Sequence, residues 1–228
     1  MKAAILAGGF GKRLKPLTDD RPKPMIEIGG TPILGWQINW LAMHGIKDII
    51  LCVGYRKESI MKYVGSGEKF GAKVHYINED EPLGTGGALK NAEKELSDGP
   101  FIVMNGDILS DLNPRMLLEA VEKGFLGAIA VVPLKSPFGI VDLDNNGIIL
   151  GFREKPTIPE YWINAGIYCL QTDVFNHLPK KGNIESTAFP ELARKGRLKA
   201  VKYIDVKWRS IDTHKDVEEA HHEFARQP

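Results

Sequence analysis

The sequence lacks the features that typically accompany nucleic-acid or membrane binding. Its 30 lysines and arginines nearly balance its 29 aspartates and glutamates, for a formal net charge of +1, so no overall field attracts polyanions or anionic lipid. The apolar stretch Ala3–Ala7 is far shorter than the core of a signal peptide, and no later stretch approaches ~18 apolar residues. These absences predict a cytoplasmic protein that binds neither nucleic acid nor membrane, and any anion site must be built locally.

Cysteine is scarce as well, and linker-like segments are missing. Cys52 and Cys169 each lie in an apolar run, where a free thiol behaves as a small core residue, so we expect both to be reduced and structural. The sequence contains no internal repeat and no tract rich in proline, glycine or serine. A length of 228 residues suffices for one sizeable core, so we expect one domain spanning residues 1–228.

The first half of the sequence alternates short β-branched runs with amphipathic stretches of helical length. This alternation is typical of βαβ units, which wind into a mostly parallel sheet covered by helices on both faces. Ligands of such sheets bind outside the carboxyl ends of the strands. Strands are predicted at Lys2–Leu6, Asp48–Val53, Lys73–Ile77 and Phe101–Met104, and helices at Ile33–His44, Glu58–Val64 and Thr85–Leu96.

The second half adds an antiparallel signal. Ile140–Leu143 and Ile148–Phe152 flank Asn145-Asn146-Gly147, which favours a hairpin. The predicted fold class is therefore α/β: a single Rossmann-like domain with a mixed, mostly parallel sheet flanked by helices and a small antiparallel insertion. Further strands are predicted at Ala128–Pro133, Ile163–Leu170 and Ala200–Ile204, and helices at Asn113–Glu122, Thr187–Lys195 and Lys215–Arg226.

A glycine-rich loop, Gly8–Gly11, follows the first strand directly and leads into Lys12 and Arg13. Glycines let backbone N–H groups approach a polyphosphate, and the two cations suit its charge. A Walker A motif does not fit, because Leu6 and Arg13 occupy positions that need glycine and a hydroxyl. A dinucleotide fingerprint does not fit either, because Leu14 stands in place of its third glycine. The loop therefore predicts a triphosphate site that is neither a Walker A motif nor a dinucleotide site. The alternative is that it is only a turn with incidental glycines.

When the motifs that follow the glycine-rich loop are included, the sequence resembles the sugar-1-phosphate nucleotidyltransferase family over essentially its whole length. The resemblance implies a Mg²⁺-dependent reaction in which a nucleoside triphosphate and a sugar 1-phosphate give a nucleotide-sugar and pyrophosphate, and it leaves homo-oligomer formation open. The segments that carry it are Gly8–Thr18, Arg21–Met25, Glu81–Ala88, Asn105–Asp107, Phe138–Gly139, Glu154–Pro156, Asn164–Tyr168 and Trp208–Thr213.

The resemblance implies roles for residues of the nucleotide site. Arg13 would stabilise the leaving pyrophosphate, for which a guanidinium fork is suited, and Lys23 would bridge the α-phosphate and the sugar phosphate. The family commonly carries threonine or serine where Lys12 stands. The catalytic residues expected are Arg13 and Lys23, and the nucleotide-binding residues are Leu6, Gly8, Gly9, Gly11, Lys12, Asn78, Gly84 and Asp107.

Two aspartates are candidate Mg²⁺ ligands. Asp107 follows an apolar strand, at whose carboxyl end Mg²⁺ can bridge a carboxylate to phosphate oxygens, while Asp111 and Asn113 are better placed to cap the next helix. The family's second carboxylate position holds Ser210, so we expect Asp212 to be the second ligand, a helix cap being its alternative role.

The family pattern also implies a sugar-phosphate pocket. Gly139 would lie near the ring, Glu154 on the sugar hydroxyls and Lys155 on the phosphate, with Asn164 and Gly166 closing the pocket. For Lys155 the alternative is an ordinary surface pair with Glu154, since such pairs are common.

Two sets of segments give conflicting indications of the nucleobase. Glu81–Leu89 resembles guanylyltransferases that use mannose or heptose 1-phosphates, whereas Pro24–Gly30 and Trp208–Thr213 resemble cytidylyltransferases. We expect a guanylyltransferase acting on mannose 1-phosphate or a related sugar phosphate. The alternatives are cytidylyl, uridylyl or thymidylyl transfer, and a catalytically silent nucleotide-sugar sensor. A glycosyltransferase using Asp142-Leu143-Asp144 is disfavoured, because this segment leads into the hairpin turn.

Overall fold

The computed structural model describes residues 1–224, which form thirteen strands and seven α-helices. The strands are β1 (Lys2–Ala7), β2 (Glu27–Ile28), β3 (Thr31–Pro32), β4 (Asp48–Val53), β5 (Lys73–Asn78), β6 (Phe101–Asn105), β7 (Ile108–Ser110), β8 (Gly127–Lys135), β9 (Ile140–Leu143), β10 (Ile149–Arg153), β11 (Thr157–Leu170), β12 (Leu198–Lys202) and β13 (Trp208–Ser210). The helices are α1 (Ile33–Met43), α2 (Lys57–Val64), α3 (Gly84–Asn91), α4 (Glu93–Leu96), α5 (Arg115–Glu122), α6 (Ala188–Arg194) and α7 (His214–Phe224).

A seven-stranded sheet in the order β12-β8-β11-β6-β1-β4-β5 forms the centre of the described chain. Strand β11 runs antiparallel to its neighbours β8 and β6, and the other adjacent strands are parallel. Small two-stranded antiparallel sheets pair β9 with β10, β7 with β13, and β2 with β3. This topology confirms the predicted mixed, mostly parallel α/β fold with an antiparallel insertion.

Helices cover both faces of the sheet. Alternate residues of β1 point to opposite faces, so Ala3 and Ile5 pack with α1 and α5 in one apolar cluster, whereas Ala4 packs with α3 and α6 in another. Burial on both sides explains why the strand reads as a nearly continuous apolar run. Cys52 and Cys169 are free and lie in this core, and burial raises the pKa of the Cys52 thiol to about 12.

Several predicted element bounds shift in the structure. The stretch Thr85–Leu96 is not one helix but two, α3 and α4, which meet at Ala92. Strand β11 begins at Thr157, before the predicted Ile163, and the predicted end of the last helix at Arg226 lies outside the described residues. None of the helices within residues 1–224 combines the length and apolarity that a membrane span requires.

Candidate active site

The glycine-rich loop leaves the carboxyl end of β1 and turns sharply at Gly11. Gly11 has φ 60°, and a Cβ there would lie 3.0 Å from side-chain carbons of both Lys23 and Thr18. The Gly11 carbonyl accepts hydrogen bonds from the Leu14 N–H at 2.9 Å and the Thr18 hydroxyl at 3.0 Å. Glycine is therefore needed at this position both for its backbone conformation and for the close approach of Lys23.

Four side chains predicted for catalysis and metal binding meet beside this loop. The Lys23 Nζ lies 2.6 Å from Asp107 Oδ2 and 2.8 Å from Asp212 Oδ1. The Arg13 Nη2 lies 2.6 Å from the same Asp212 oxygen, and the Ser210 hydroxyl donates to Asp212 Oδ2 at 2.8 Å. The four residues are thus one cluster of two cations and two carboxylates.

Asp212 is held in its ionised form by this cluster. Burial would raise the pKa of its carboxyl group, but the hydrogen bond and charge of Lys23, the Ser210 hydroxyl and the charge of Arg13 together outweigh burial and lower it. A carboxylate with a lowered pKa remains negative well below neutral pH. The cluster therefore keeps an anion in position to bind a cation.

Pairing between β7 and β13 explains why Asp107 and Asp212 meet. Asp107 lies in the turn between β6 and β7, and Asp212 follows β13, which pairs antiparallel with β7. The Ile211 N–H donates to the Asp107 carbonyl at 2.9 Å, which fixes the two carboxylate-bearing segments against each other. The two metal-ligand candidates are therefore positioned by backbone hydrogen bonds as well as by side chains.

Capping of α7 falls to residues other than Asp212. The Asp216 carboxylate accepts the Thr213 N–H at 2.7 Å, and the Thr213 hydroxyl accepts the Asp216 N–H at 3.3 Å, the reciprocal pattern of a capping box. Before α5, Asn113 Oδ1 accepts the Arg115 N–H at 3.0 Å. Asp212 is thereby left to direct its side chain at Lys23.

The donor set of the two aspartates fits Mg²⁺. Within residues 1–224, no three His, Cys, Asp or Glu side chains gather as a metal cage. Mg²⁺ is usually bound by one or two carboxylates plus substrate phosphates and water rather than by a cage made entirely of protein. Asp107 and Asp212 already converge on one cationic group, Lys23, so they could share a divalent ion with a bound polyphosphate.

A cleft of about 270 Å³ opens beside the cluster. A larger cavity of about 680 Å³ is lined by Trp36, Trp40 and Phe224, but the smaller cleft is the better candidate for a phosphate-bearing ligand, because the glycine-rich loop and Lys23 line it. The predicted residues that line the smaller cleft are Leu6, Gly8, Gly9, Lys23, Gly84 and Asp107.

Glu79 also lines the cleft and was not anticipated from the sequence. Its Oε2 accepts the Leu83 N–H at 3.3 Å, and a Cβ at Gly8 would lie 2.7 Å from its Oε1. Burial raises the pKa of the Glu79 carboxyl above its ordinary value, although the Leu83 N–H partly opposes this. The predicted Asn78 is next to it, at the end of β5, and its carbonyl accepts a hydrogen bond from Asn91 at 3.1 Å.

A hydrogen-bonded chain connects Asn164 to the loop at the start of α3. The Asn164 amide accepts the Gly166 N–H at 2.8 Å and donates to the Tyr168 hydroxyl at 2.9 Å. Tyr168 donates to Glu185 Oε1 at 3.2 Å, and Glu185 Oε2 accepts the Thr85 hydroxyl at 2.5 Å. Tyr168 belongs to the Asn164–Tyr168 segment, but Glu185 lies in no motif, so this link was not predicted from the sequence.

The remaining predicted residues lie near the hairpin, in strand β11 or on the glycine-rich loop. A Cβ at Gly139 would lie 2.6 Å from the Phe152 ring and 3.0 Å from Glu154 Oε2, and Lys155 Nζ is 3.3 Å from Glu154 Oε1. The structure thus groups Gly139, Glu154 and Lys155, while Gly166 lies beside Asn105, where a Cβ would be 3.1 Å from its amide. Lys12 is exposed, with its Nζ 5.8 Å from the centre of the Phe10 ring.

A family model described as "Nucleotidyl transferase" matches residues 2–227. The chain belongs to the nucleotidyl transferase family. A mannose-1-phosphate guanylyltransferase catalytic subunit beta of Dictyostelium discoideum is 38% identical over 225 residues, covering 95% of this chain and 62% of the relative. A mannose-1-phosphate guanylyltransferase of Mycobacterium tuberculosis is 33% identical, covering 94% of this chain and 62% of the relative. The chain therefore spans only about three fifths of the length of these nucleotidyl transferases.

Solved structures agree with this assignment. HddC from Yersinia pseudotuberculosis is 31% identical with a TM-score of 0.79, covering 98% of this chain and 99% of the other. A second structure of that protein, complexed with GMP-PN, has a TM-score of 0.77. A glucose-1-phosphate thymidylyltransferase from Bacillus anthracis, described as putative, has a TM-score of 0.81 at 23% identity and so shows the fold alone. These findings confirm the resemblance drawn from the sequence motifs.

Proposed function

We propose that the chain transfers a guanylyl group from GTP to mannose 1-phosphate or a closely related sugar 1-phosphate and releases pyrophosphate. The observation that carries the proposal is the meeting of Arg13, Lys23, Asp107 and Asp212 beside the glycine-rich loop. Relatives named as mannose-1-phosphate guanylyltransferases, and a neighbour solved with GMP-PN, support guanine as the base. The proposed location of the reaction is the cytoplasm.

In this proposal an oxygen of the sugar phosphate attacks the α-phosphorus in line, and the bond from that phosphorus to the leaving pyrophosphate breaks. Lys23 neutralises charge between the two phosphates, and Arg13 neutralises charge on the leaving group. No general base is required, since a phosphate monoester is already anionic at neutral pH. Mg²⁺ held by Asp107 and Asp212 would supply further charge neutralisation on the phosphates. Positioning and electrostatics then carry the reaction.

Glu79 supports the assignment of guanine. The Watson–Crick edge of guanine presents two adjacent donors, the N1–H and the 2-amino group, and a carboxylate offers two adjacent acceptors to them. Uracil and thymine present a single donor between two carbonyls, which a carboxylate would repel. Glu79 is half-buried in the cleft, where a polar group left without a hydrogen-bond partner is costly. The site should therefore discriminate strongly against a base that does not pair with this carboxylate.

The sugar 1-phosphate is assigned to the residues near the hairpin and at the end of β11. Lys155 would form an ion pair with the phosphate, Glu154 would accept hydrogen bonds from the sugar hydroxyls, and Gly139 would leave space for the sugar ring. Asn164 and Gly166 would close the pocket, with Asn164 held by the chain of hydrogen bonds through Tyr168.

Pyrophosphate release tests the proposal directly. The purified chain is incubated with Mg²⁺ and each of ATP, GTP, CTP, UTP and dTTP, against mannose, glucose, N-acetylated and heptose 1-phosphates. We expect release with GTP and mannose 1-phosphate or a close relative, and a shift away from GTP in Glu79→Gln. Release only with CTP would support the cytidylyltransferase alternative. Nucleotide binding with no release for any pair would favour the sensor.

A further inference from the structure

Gln37 is a buried amide on α1 that contacts the backbone of the Asp107 turn. Its side chain is 1% exposed, although glutamine is usually found at the surface. Its Nε2 donates to the Asn105 carbonyl at 2.8 Å and to the Ile108 carbonyl at 2.9 Å. These two carbonyls flank the turn that carries Asp107, so one side-chain amide joins the two ends of that turn.

Besides the ion pair between Lys23 and Asp107, two backbone hydrogen bonds hold the same turn. The Gly106 N–H donates to the Leu6 carbonyl at 3.0 Å, and the Asp107 carbonyl accepts the Ile211 N–H at 2.9 Å. Together with Gln37, these bonds fix the turn against β1, β13 and α1. We infer that Gln37 is a positioning residue: it sets where the Asp107 carboxylate lies relative to Lys23 and Asp212. This inference rests on the proposed function, because it assigns Asp107 to metal and phosphate binding.

The oxygen of the Gln37 amide argues against a role in packing alone. Among the residues that the structure describes, no donor reaches the buried Gln37 Oε1. A buried acceptor without a partner is destabilising, whereas methionine would fill a similar volume without it. Packing would thus be served as well or better by an apolar side chain. What glutamine supplies, and methionine cannot, is the pair of hydrogen bonds to the turn.

The test uses Gln37→Met, with Gln37→Glu as a second variant of the same shape. Methionine removes the donor, and an ionised glutamate would place an oxygen against both carbonyls. Asn39→Met serves as the control, because Asn39 is an exposed amide on the same helix. Each protein is measured well below its own melting temperature and normalised to its folded fraction, so that reduced stability alone does not lower turnover.

We expect Gln37→Met to melt within about 4 °C of the wild type. We expect its kcat to fall on the order of 10–100-fold, because small misplacements of a reacting group have effects of this size. The Mg²⁺ concentration for half-maximal turnover should rise, and Asn39→Met should match the wild type. Unchanged kcat and unchanged Mg²⁺ dependence in folded Gln37→Met would overturn the inference.

A binding measurement separates this inference from the proposed function. Calorimetric titration with GTP, with and without Mg²⁺, reports how far the metal strengthens nucleotide binding even if no sugar phosphate reacts. We expect that Mg²⁺ enhancement to be smaller in both Gln37 variants than in Asn39→Met. An equal enhancement in all three proteins would refute the positioning role. Absence of turnover in the wild type with every substrate pair would refute the proposed function instead.

Discussion

At the scale of single residues, a substitution of Arg13 can distinguish a catalytic role from a structural one. Its side chain is exposed and forms an ion pair with Asp212 at the rim of the cluster, so removing the side chain should cost little stability. We expect Arg13→Ala to lower turnover on the order of 10²–10³-fold, as for other preorganised charge-stabilising groups. Pyrophosphate release measures this effect. Lys15→Ala is the control, because Lys15 is an exposed cation of the same segment that pairs with Asp19 instead. Equal turnover in the two variants would remove Arg13 from the mechanism.

Glu79 allows a prediction in which stability and function change in opposite directions. Burial raises its folded-state pKa, so the carboxyl stabilises the fold fully only below its unfolded pKa and loses this contribution as pH rises through the folded value. Glutamine keeps the acceptor for the Leu83 N–H but carries no charge. We therefore expect Glu79→Gln to raise the free energy of unfolding at pH 7 and not at pH 4, and to weaken GTP binding. Denaturant unfolding at both pH values and calorimetry test this. A stability gain that is the same at pH 4 and pH 7 would contradict the electrostatic cause.

At the scale of elements, the turn between β6 and β7 depends on close backbone packing. A Cβ at Gly106 would lie 2.5 Å from the Leu6 carbonyl oxygen, so alanine there must push the turn away from β1. We expect Gly106→Ala to destabilise the fold by ~1–3 kcal/mol, the usual range for overpacking, and to reduce turnover through Asp107. Denaturant unfolding measures the first effect. For stability, Gly9→Ala is the control, since its Cβ would meet nothing within 4 Å.

Elements with a clear apolar signal were predictable, and most contacts between elements were not. Strand β4 is a short continuous apolar run, as expected for a strand buried on both faces, and helix α1 is an apolar stretch of helical length. The break at Ala92 was missed, since nothing in local propensity marks it. Glu79 and Gln37 were missed for a related reason: each is a single polar residue whose role arises from tertiary contacts. The Asp107–Asp212 pair was expected from the family pattern, and the β7–β13 pairing supplies its physical cause.

At the scale of the whole molecule, the proposed nucleotide site joins parts of the chain that are far apart in sequence. Its cation and carboxylate cluster combines the loop after β1, the turn after β6 and the segment after β13. A ligand that binds several of these segments at once binds the folded state and not the unfolded chain. Binding at this site should therefore appear as a gain in global stability.

GTP should thus stabilise the whole fold, and part of this gain should depend on the metal. At 100 times its dissociation constant a ligand adds ~2.7 kcal/mol to the free energy of unfolding. We expect Mg²⁺ to increase the stabilisation by GTP, and chelation by EDTA to remove the increase. Asp107→Asn should abolish only the Mg²⁺-dependent part, because the glycine-rich loop and Lys23 remain. Asp205→Asn, at an exposed aspartate before β13, is the matched control and should keep the full effect. Thermal unfolding with GTP, with and without Mg²⁺, measures each quantity, and an unaltered metal effect in Asp107→Asn would exclude that carboxylate as a ligand.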